Sequence, residues 1–268
     1  MRKMVYLICS QTPFITMKVS ALKKTKGFTL IELMVVIAIL AALAAIGYGP
    51  IVDHMNDGDR QMAQSNLKSL YTILQGFKTD QGSYPCDSTA ERLQEEKPEL
   101  NFGTLTGDNS NAYFRQVYYS PSNVSEKPFF AKINCNGLSV IKEGDEKLAN
   151  GQALSRGENA MAYVMRKNAE DPALKDGVTK SNAPLAMCGV YPTNAPYVGD
   201  TVAFDGESFR GHAFMLSCDG AVKDLKDTIA EDENDETKYI MPTGKSIFPE
   251  TKKGRSTADG YLVLTPEK

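Results

Sequence analysis

The stretch KTKGFTLIELMVVIAILAALAAIGYGP, Lys24 to Pro50, decides how the rest of the 268-residue chain is read. From Phe28 to Ile46 only Thr29 and Glu32 are not apolar. As an α-helix these residues span roughly 28 Å, about the hydrocarbon thickness of a bilayer. Lys18, Lys23, Lys24 and Lys26 precede the run, which orients that end to the cytoplasm and the body of the chain to the outside. Glu32 stands inside the apolar run. A charge deep in lipid costs roughly 2–3 kcal/mol on insertion scales, less near an end, so this carboxylate calls for a partner.

Two plain explanations compete with a third. A cleaved signal peptide would account for the basic front and for the small residues Ala42-Leu43-Ala44. Its apolar core, however, runs only to about 15 residues. A plain anchor would leave Glu32 to snorkel. The third explanation uses every residue of the junction. Lys26-Gly27-Phe28-Thr29-Leu30-Ile31-Glu32 resembles the processing motif of type IV pilins and type II secretion pseudopilins. The resemblance implies cleavage after Gly27 by a membrane prepilin peptidase and N-methylation of the new terminus, Phe28. It also implies that Glu32 neutralises the free amino terminus of a neighbouring subunit in a filament. The physics agrees with that role: a lone ammonium and a lone carboxylate are each unfavourable in lipid, and docking pairs them.

The resemblance divides the chain into a leader, 1–27, a long helix, 28–80, embedded in the membrane to about 49, and a head, 81–268. Residues 1–16 are largely apolar, unlike a short basic leader. A start at Met17 would give MKVSALKKTKG, and Met17 is the expected true start. Ala38, Ala41, Ala42, Ala44 and Ala45 give the helix a small-residue surface suited to close packing. Gly47-Tyr48-Gly49-Pro50 predicts a kink or a melted turn. Beyond it Leu67, Leu70, Leu74 and Phe77 step by helical spacing, with Met62, Ala63 and Ile73 widening the stripe. Such a face needs a folded head to cover it.

Asp80-Gln81-Gly82-Ser83-Tyr84-Pro85 resembles the D-x-G-x-Y-P turn after the long helix of major pseudopilins. The likeness thus runs from Lys26 to Pro85, about sixty residues. The chain has no Trp, so the family's later Trp-containing motif is missing.

In the head, Ser88-Thr89-Ala90-Glu91 predicts a capped helix to about Lys97, and Ser155-Arg156-Gly157-Glu158 a second to about Lys167. Ala112–Tyr119, Phe129–Cys135, Leu185–Tyr191, His212–Cys218 and Tyr261–Thr265 read as strands. Asp219-Gly220 marks a hairpin from Phe214–Cys218 into Ala221–Leu225. A long helix followed by antiparallel strands gives an α+β, pilin-like fold.

Removing residues 1–27 leaves 24 basic residues against 33 acidic ones. A body that acidic argues against nucleic acid as a partner. Cys86, Cys135, Cys188 and Cys218 form an even set without C-x-x-C spacing, while Cys9 lies in the extension. Two disulfides in an oxidising compartment are expected, with sequence neighbours paired as Cys86–Cys135 and Cys188–Cys218. No zinc site and no other cofactor is expected. Glu231-Asp232-Glu233-Asn234-Asp235-Glu236 reads as a solvated, mobile loop. Ca²⁺ binding, as in the head loop of some pseudopilins, is the alternative, although EF-hand spacing is lacking.

Gly244-Lys245-Ser246 lacks the upstream glycine of a phosphate loop, Tyr239 standing in its place. Asn123-Val124-Ser125 matches a glycosylation acceptor. A Ser–His–Asp site would have to rest on His212, which reads rather as a structural strand histidine, so no catalytic residue is assigned. The functions left open are a structural filament subunit and a minor, ligand-binding subunit with an enlarged head. In either case the partners are other copies or subunits, the peptidase and an inner-membrane assembly platform. The head would lie in the periplasm and then on a pseudopilus or a surface filament.

Overall fold

A computed structural model of the chain describes residues 27–120, 125–144, 153–249 and 260–268, and within them the side chains outside 46–53. Two compact units are distinguished, Met1–Pro50 and Ile51–Lys268. Helix α1 runs from Leu30 to Gln81. Its backbone stays helical through Gly47-Tyr48-Gly49-Pro50, so the expected melted turn is not formed; Pro50 removes one donor, and the turns on either side remain bonded. Among the described residues no helix is long and apolar enough to cross a membrane.

The carboxyl-terminal part of α1 belongs to the head. Ala63, Leu67, Leu70, Leu74 and Phe77 are buried, the stripe that the spacing predicts. Met62 is not part of it and faces solvent. The helix ends where Gly82, at φ +80°, donates its N–H to the Lys78 carbonyl at 2.8 Å. Only a residue tolerant of the left-handed region closes a helix in this way. Tyr84 of the D-x-G-x-Y-P segment is then buried, and the Pro85 carbonyl accepts the Tyr163 hydroxyl at 2.9 Å.

Two short helices follow, α2 (Asp87–Glu96) and α3 (Ser110–Arg115). The cap of α2 is Cys86 rather than Ser88, with Thr89 as the reciprocal partner. Helix α3 and the 3-10 turn Gln116–Tyr119 occupy the stretch expected as a strand. Asn109 is the reason: its side chain accepts the Ala112 N–H and starts a helix. The aromatic content that suggested a strand serves burial instead.

The strands are β1 (Ile133–Cys135), β2 (Leu138–Val140), β3 (Met161–Lys167), β4 (Lys175–Gly177), β5 (Pro184–Cys188) and β6 (Tyr197–Val198). They continue as β7 (Ala203–Asp205), β8 (Phe214–Ser217), β9 (Val222–Asp224), β10 (Ala230–Asp232), β11 (Asp235–Ile240) and β12 (Tyr261–Leu264). The main sheet has the order β6-β12-β3-β5-β8-β9, with β4 also paired to β3. A second sheet is β10-β11-β7, and β1-β2 is a separate hairpin. Every pairing is antiparallel. The fold is therefore α+β.

Strand β3 lies in the stretch expected as a helix after Ser155. The Ser155–Glu158 contact does form, Ser155 N–H to the Glu158 carboxylate, but it closes a turn. Met161–Met165 are all buried; a run covered on both faces carries neither helical nor alternating periodicity. The Asp219-Gly220 hairpin joins β8 to β9 in the register Phe214↔Asp224, as expected.

Candidate functional site

At the amino-terminal junction Gly27 and Phe28 precede α1 and are exposed. Thr29 and Glu32 form a reciprocal cap. The Thr29 N–H donates to Glu32 Oε2 at 2.7 Å and its hydroxyl to the same oxygen at 2.8 Å. The Glu32 N–H returns a bond to Thr29 Oγ1 at 3.3 Å. The carboxylate thus sits at the positive end of the helix on donors that α1 leaves without helical partners. Thr29-Leu30-Ile31-Glu32 is a T-x-x-E capping pattern ahead of an apolar run, a local signal for this cap that is independent of the charge. Around Glu32 the large apolar side chains of Phe28 through Leu43 stand exposed, Phe28 at 85% and Leu30 at 76%. An apolar surface of this extent, carrying one carboxylate near its tip, is a surface for a partner or a lipid phase.

The head brings a second group together. His212 lies in the loop before β8, where a strand residue was expected. Its Nδ1 is 2.7 Å from Asp224 Oδ2, and its Nε2 is 2.8 Å from Arg60 Nη1 on α1. A guanidinium only donates, so Nε2 is the acceptor and the proton is on Nδ1. In a Ser–His–Asp site that nitrogen would face a nucleophile; here it faces Arg60. Neither Arg60 nor Asp224 was singled out in the sequence, because 152 and 12 residues separate them from His212.

The four head cysteines carry free thiols. Cys188 stands opposite Phe214 in the ladder, and Pro184 opposite Ser217. Cys188 and Cys218 are therefore at opposite ends, roughly 13 Å apart at the strand rise and beyond the about 7 Å a disulfide spans. Burial pushes the Cys218 thiol up to about 11. Burial acts the same way on Cys86, but hydrogen bonds from Ser88, Thr89 and Ser83 outweigh it and hold that thiol below its ordinary value.

The acidic run Glu231–Glu236 is a β-hairpin, not the loop expected. Asp232 and Asp235 accept the N–H groups of Asn234 and Thr237, which occupies carboxylates that the alternative assigned to Ca²⁺. Among the described residues no group of three or more His, Cys, Asp or Glu is placed to hold a metal. Lys245 N–H closes a turn onto the Pro242 carbonyl and the Ser246 hydroxyl donates to Asp200, so these residues do not form a phosphate cradle. The leader with Met17 and Cys9, and Asn123 of the glycosylation pattern, lie outside the described residues.

Residues 22–48 match the family model for the prokaryotic N-terminal methylation motif. The chain is similar to type II secretion system core protein G of Pectobacterium carotovorum subsp. carotovorum, 36% identical over 29% of this chain and 49% of that protein. It is similar to the type IV major pilin protein PilA of Myxococcus xanthus, 39% identical over 23% of this chain and 28% of the pilin. It is also similar to the fimbrial protein EcpB of Eikenella corrodens, 34% identical over 39% of this chain and 66% of that protein. The chain spans about half or less of the length of the first two relatives. No solved structure matches it.

Proposed function

We propose that this chain, a relative of type IV pilins and type II secretion core proteins G with their methylation motif, is a structural subunit of a pilus-like or pseudopilus filament. A prepilin peptidase cuts after Gly27, and Phe28 becomes the methylated terminus. The subunit waits in the inner membrane with its head in the periplasm. It is then added to the filament at an assembly platform through α1. The observation that carries this reading is the junction itself: an exposed Gly27-Phe28 pair leading into an apolar, unpartnered helix whose first turn holds Glu32.

In the lone subunit Glu32 rests on Thr29. On docking, the ammonium of a neighbour's Phe28 offers it a full positive charge instead of a helix end, which favours the assembled state. A second reading, a minor ligand-binding subunit, is supported by the size of the head, since the likeness to core protein G covers 29% of this chain. Abundance in purified filaments separates the two.

The test pairs Gly27→Ala with Glu32→Ala in the producing cell. Gly27→Ala is expected to accumulate uncleaved precursor. Glu32→Ala is expected to be cleaved yet absent from sheared filaments. Normal filaments from the Glu32 variant would remove the charge-pairing account.

A further inference from the structure

Helix α1 reads Asn56-Asp57-Gly58-Asp59 just before its docked part. All four residue types favour caps and turns over helix interiors. Gly58 is the weakest of them, and nothing around it asks for glycine. Its backbone is helical, and a Cβ there would meet nothing within 4 Å. No side chain over residues 54–62 is buried, and the anchored stripe begins at Ala63. Polar contacts alone keep this stretch in line. Arg60 Nη2 meets Asp57 Oδ1 at 2.9 Å, and Arg60 Nη1 meets His212 Nε2 at 2.8 Å. Lys132 Nζ meets Asp59 Oδ2 at 3.2 Å.

We propose that α1 has a second state, in which the helix stops at Asp57 and restarts at Arg60. Gly58 is then the left-handed residue that closes the first piece, and Asp59 is the cap of the second. Each is the preferred type for its place: glycine just past a helix end, aspartate at a helix start. In the continuous helix the Asp59 carboxylate serves Lys132. In the broken one it turns to the N–H groups of Gln61 and Met62, which the break frees. Arg60 opens the second piece, so its bond to His212 is kept and the stripe from Ala63 to Phe77 stays buried. The break gives up the Asp57–Arg60 and Asp59–Lys132 pairs and one turn of exposed ladder bonds, and gains two caps. Exposed pairs contribute little each, so the two states lie close in free energy. The joint is eight residues past Pro50 and separate from the Gly-Pro stretch. It lets the turns before Gly58 change direction while the docked part of α1 holds its place, and it does not rest on the filament reading.

The test uses the full chain in detergent micelles, with spin labels at positions 55 and 141. Met55 and Ile141 are both exposed, and genetically encoded ketone residues carry the labels, so the cysteines stay untouched. Pulsed electron resonance is expected to show two distances in the parent chain. Gly58→Ala penalises the left-handed stop and favours the continuous helix, and is expected to cut the second population about fivefold. Asp59→Asn keeps an oxygen for the cap but gives up the charge that holds Lys132, and is expected to enlarge that population about twofold. Amide exchange over residues 67–77 is expected to be alike in all three chains, since the docked part stays folded. A single distance in both the parent chain and Asp59→Asn would overturn the joint. So would a second population that Gly58→Ala leaves untouched or that Asp59→Asn diminishes. A second distance that comes with faster exchange over 67–77 would mark undocking of the whole helix and overturn it as well.

Discussion

Single residues in this head act through contacts that no local pattern announces. Gly220 was legible as the second position of an Asp-Gly hairpin, and it has the positive φ, +86°, that such a turn requires. Its second constraint was not legible: a Cβ there would lie 2.8 Å from Tyr71 Cε1 on α1. The neighbouring Ser217 is a different case. It is 1% exposed on β8, and its hydroxyl has no hydrogen-bond partner. A buried hydroxyl without a partner costs about 1–3 kcal/mol. Ser217→Ala is therefore expected to leave stability unchanged or to raise it by about 1 kcal/mol, read as a higher melting temperature. A clear loss of stability would mean that the hydroxyl is bonded.

At the scale of elements, α1 shows both the strength and the limit of periodicity. Leu67, Leu70, Leu74 and Phe77 are buried as their spacing demands. Met62 carries the same apolar signal but is 41% exposed, because it lies about 100° round the helix from Ala63, off the face that the head covers. Leu70→Ala is expected to cost about 2–5 kcal/mol in urea unfolding. Met62→Ala is expected to stay within about 0.5 kcal/mol, as for surface sites. Similar losses from the two would put Met62 in the core.

Elsewhere element type was misjudged where burial is two-sided. Met161–Met165 has no polar face to betray a period, and the capping pattern at Ser155 by itself points to a helix. Conversely, the aromatic run from Tyr113 to Tyr119 looked like a strand, although Asn109 had already set a helix start.

The whole head is joined through groups far apart in sequence. The Asn159 amide donates to Ser110 Oγ and Asn111 Oδ1, both at 2.9 Å, and its carbonyl accepts the Met161 N–H at 2.9 Å. Asn111 in turn donates to the Leu154 carbonyl and accepts the Glu267 N–H. One fully buried side chain therefore fixes α3, the start of β3 and the carboxyl-terminal tail. Asn159→Ala would leave several of these groups unsatisfied. It is expected to cost about 3 kcal/mol and to lower the cooperativity of unfolding measured by circular dichroism. Asn159→Asp is expected to restore less than half, since it lacks the two donors. A mild effect of Asn159→Ala would mean that water replaces the amide.

What the sequence determined by itself is the junction and the helix. Gly27, Phe28 and Glu32, the stripe to Phe77 and the turn at Gly82 depend on residues within a few positions of one another, and local chemistry dictates them. What only the tertiary structure decided is which distant groups meet. It set the strand order β6-β12-β3-β5-β8-β9, the separation of Cys188 from Cys218, and the docking of Arg60 on His212. These depend on sheet register, and register follows from how a common core is filled, a property of the folded chain and of no single segment.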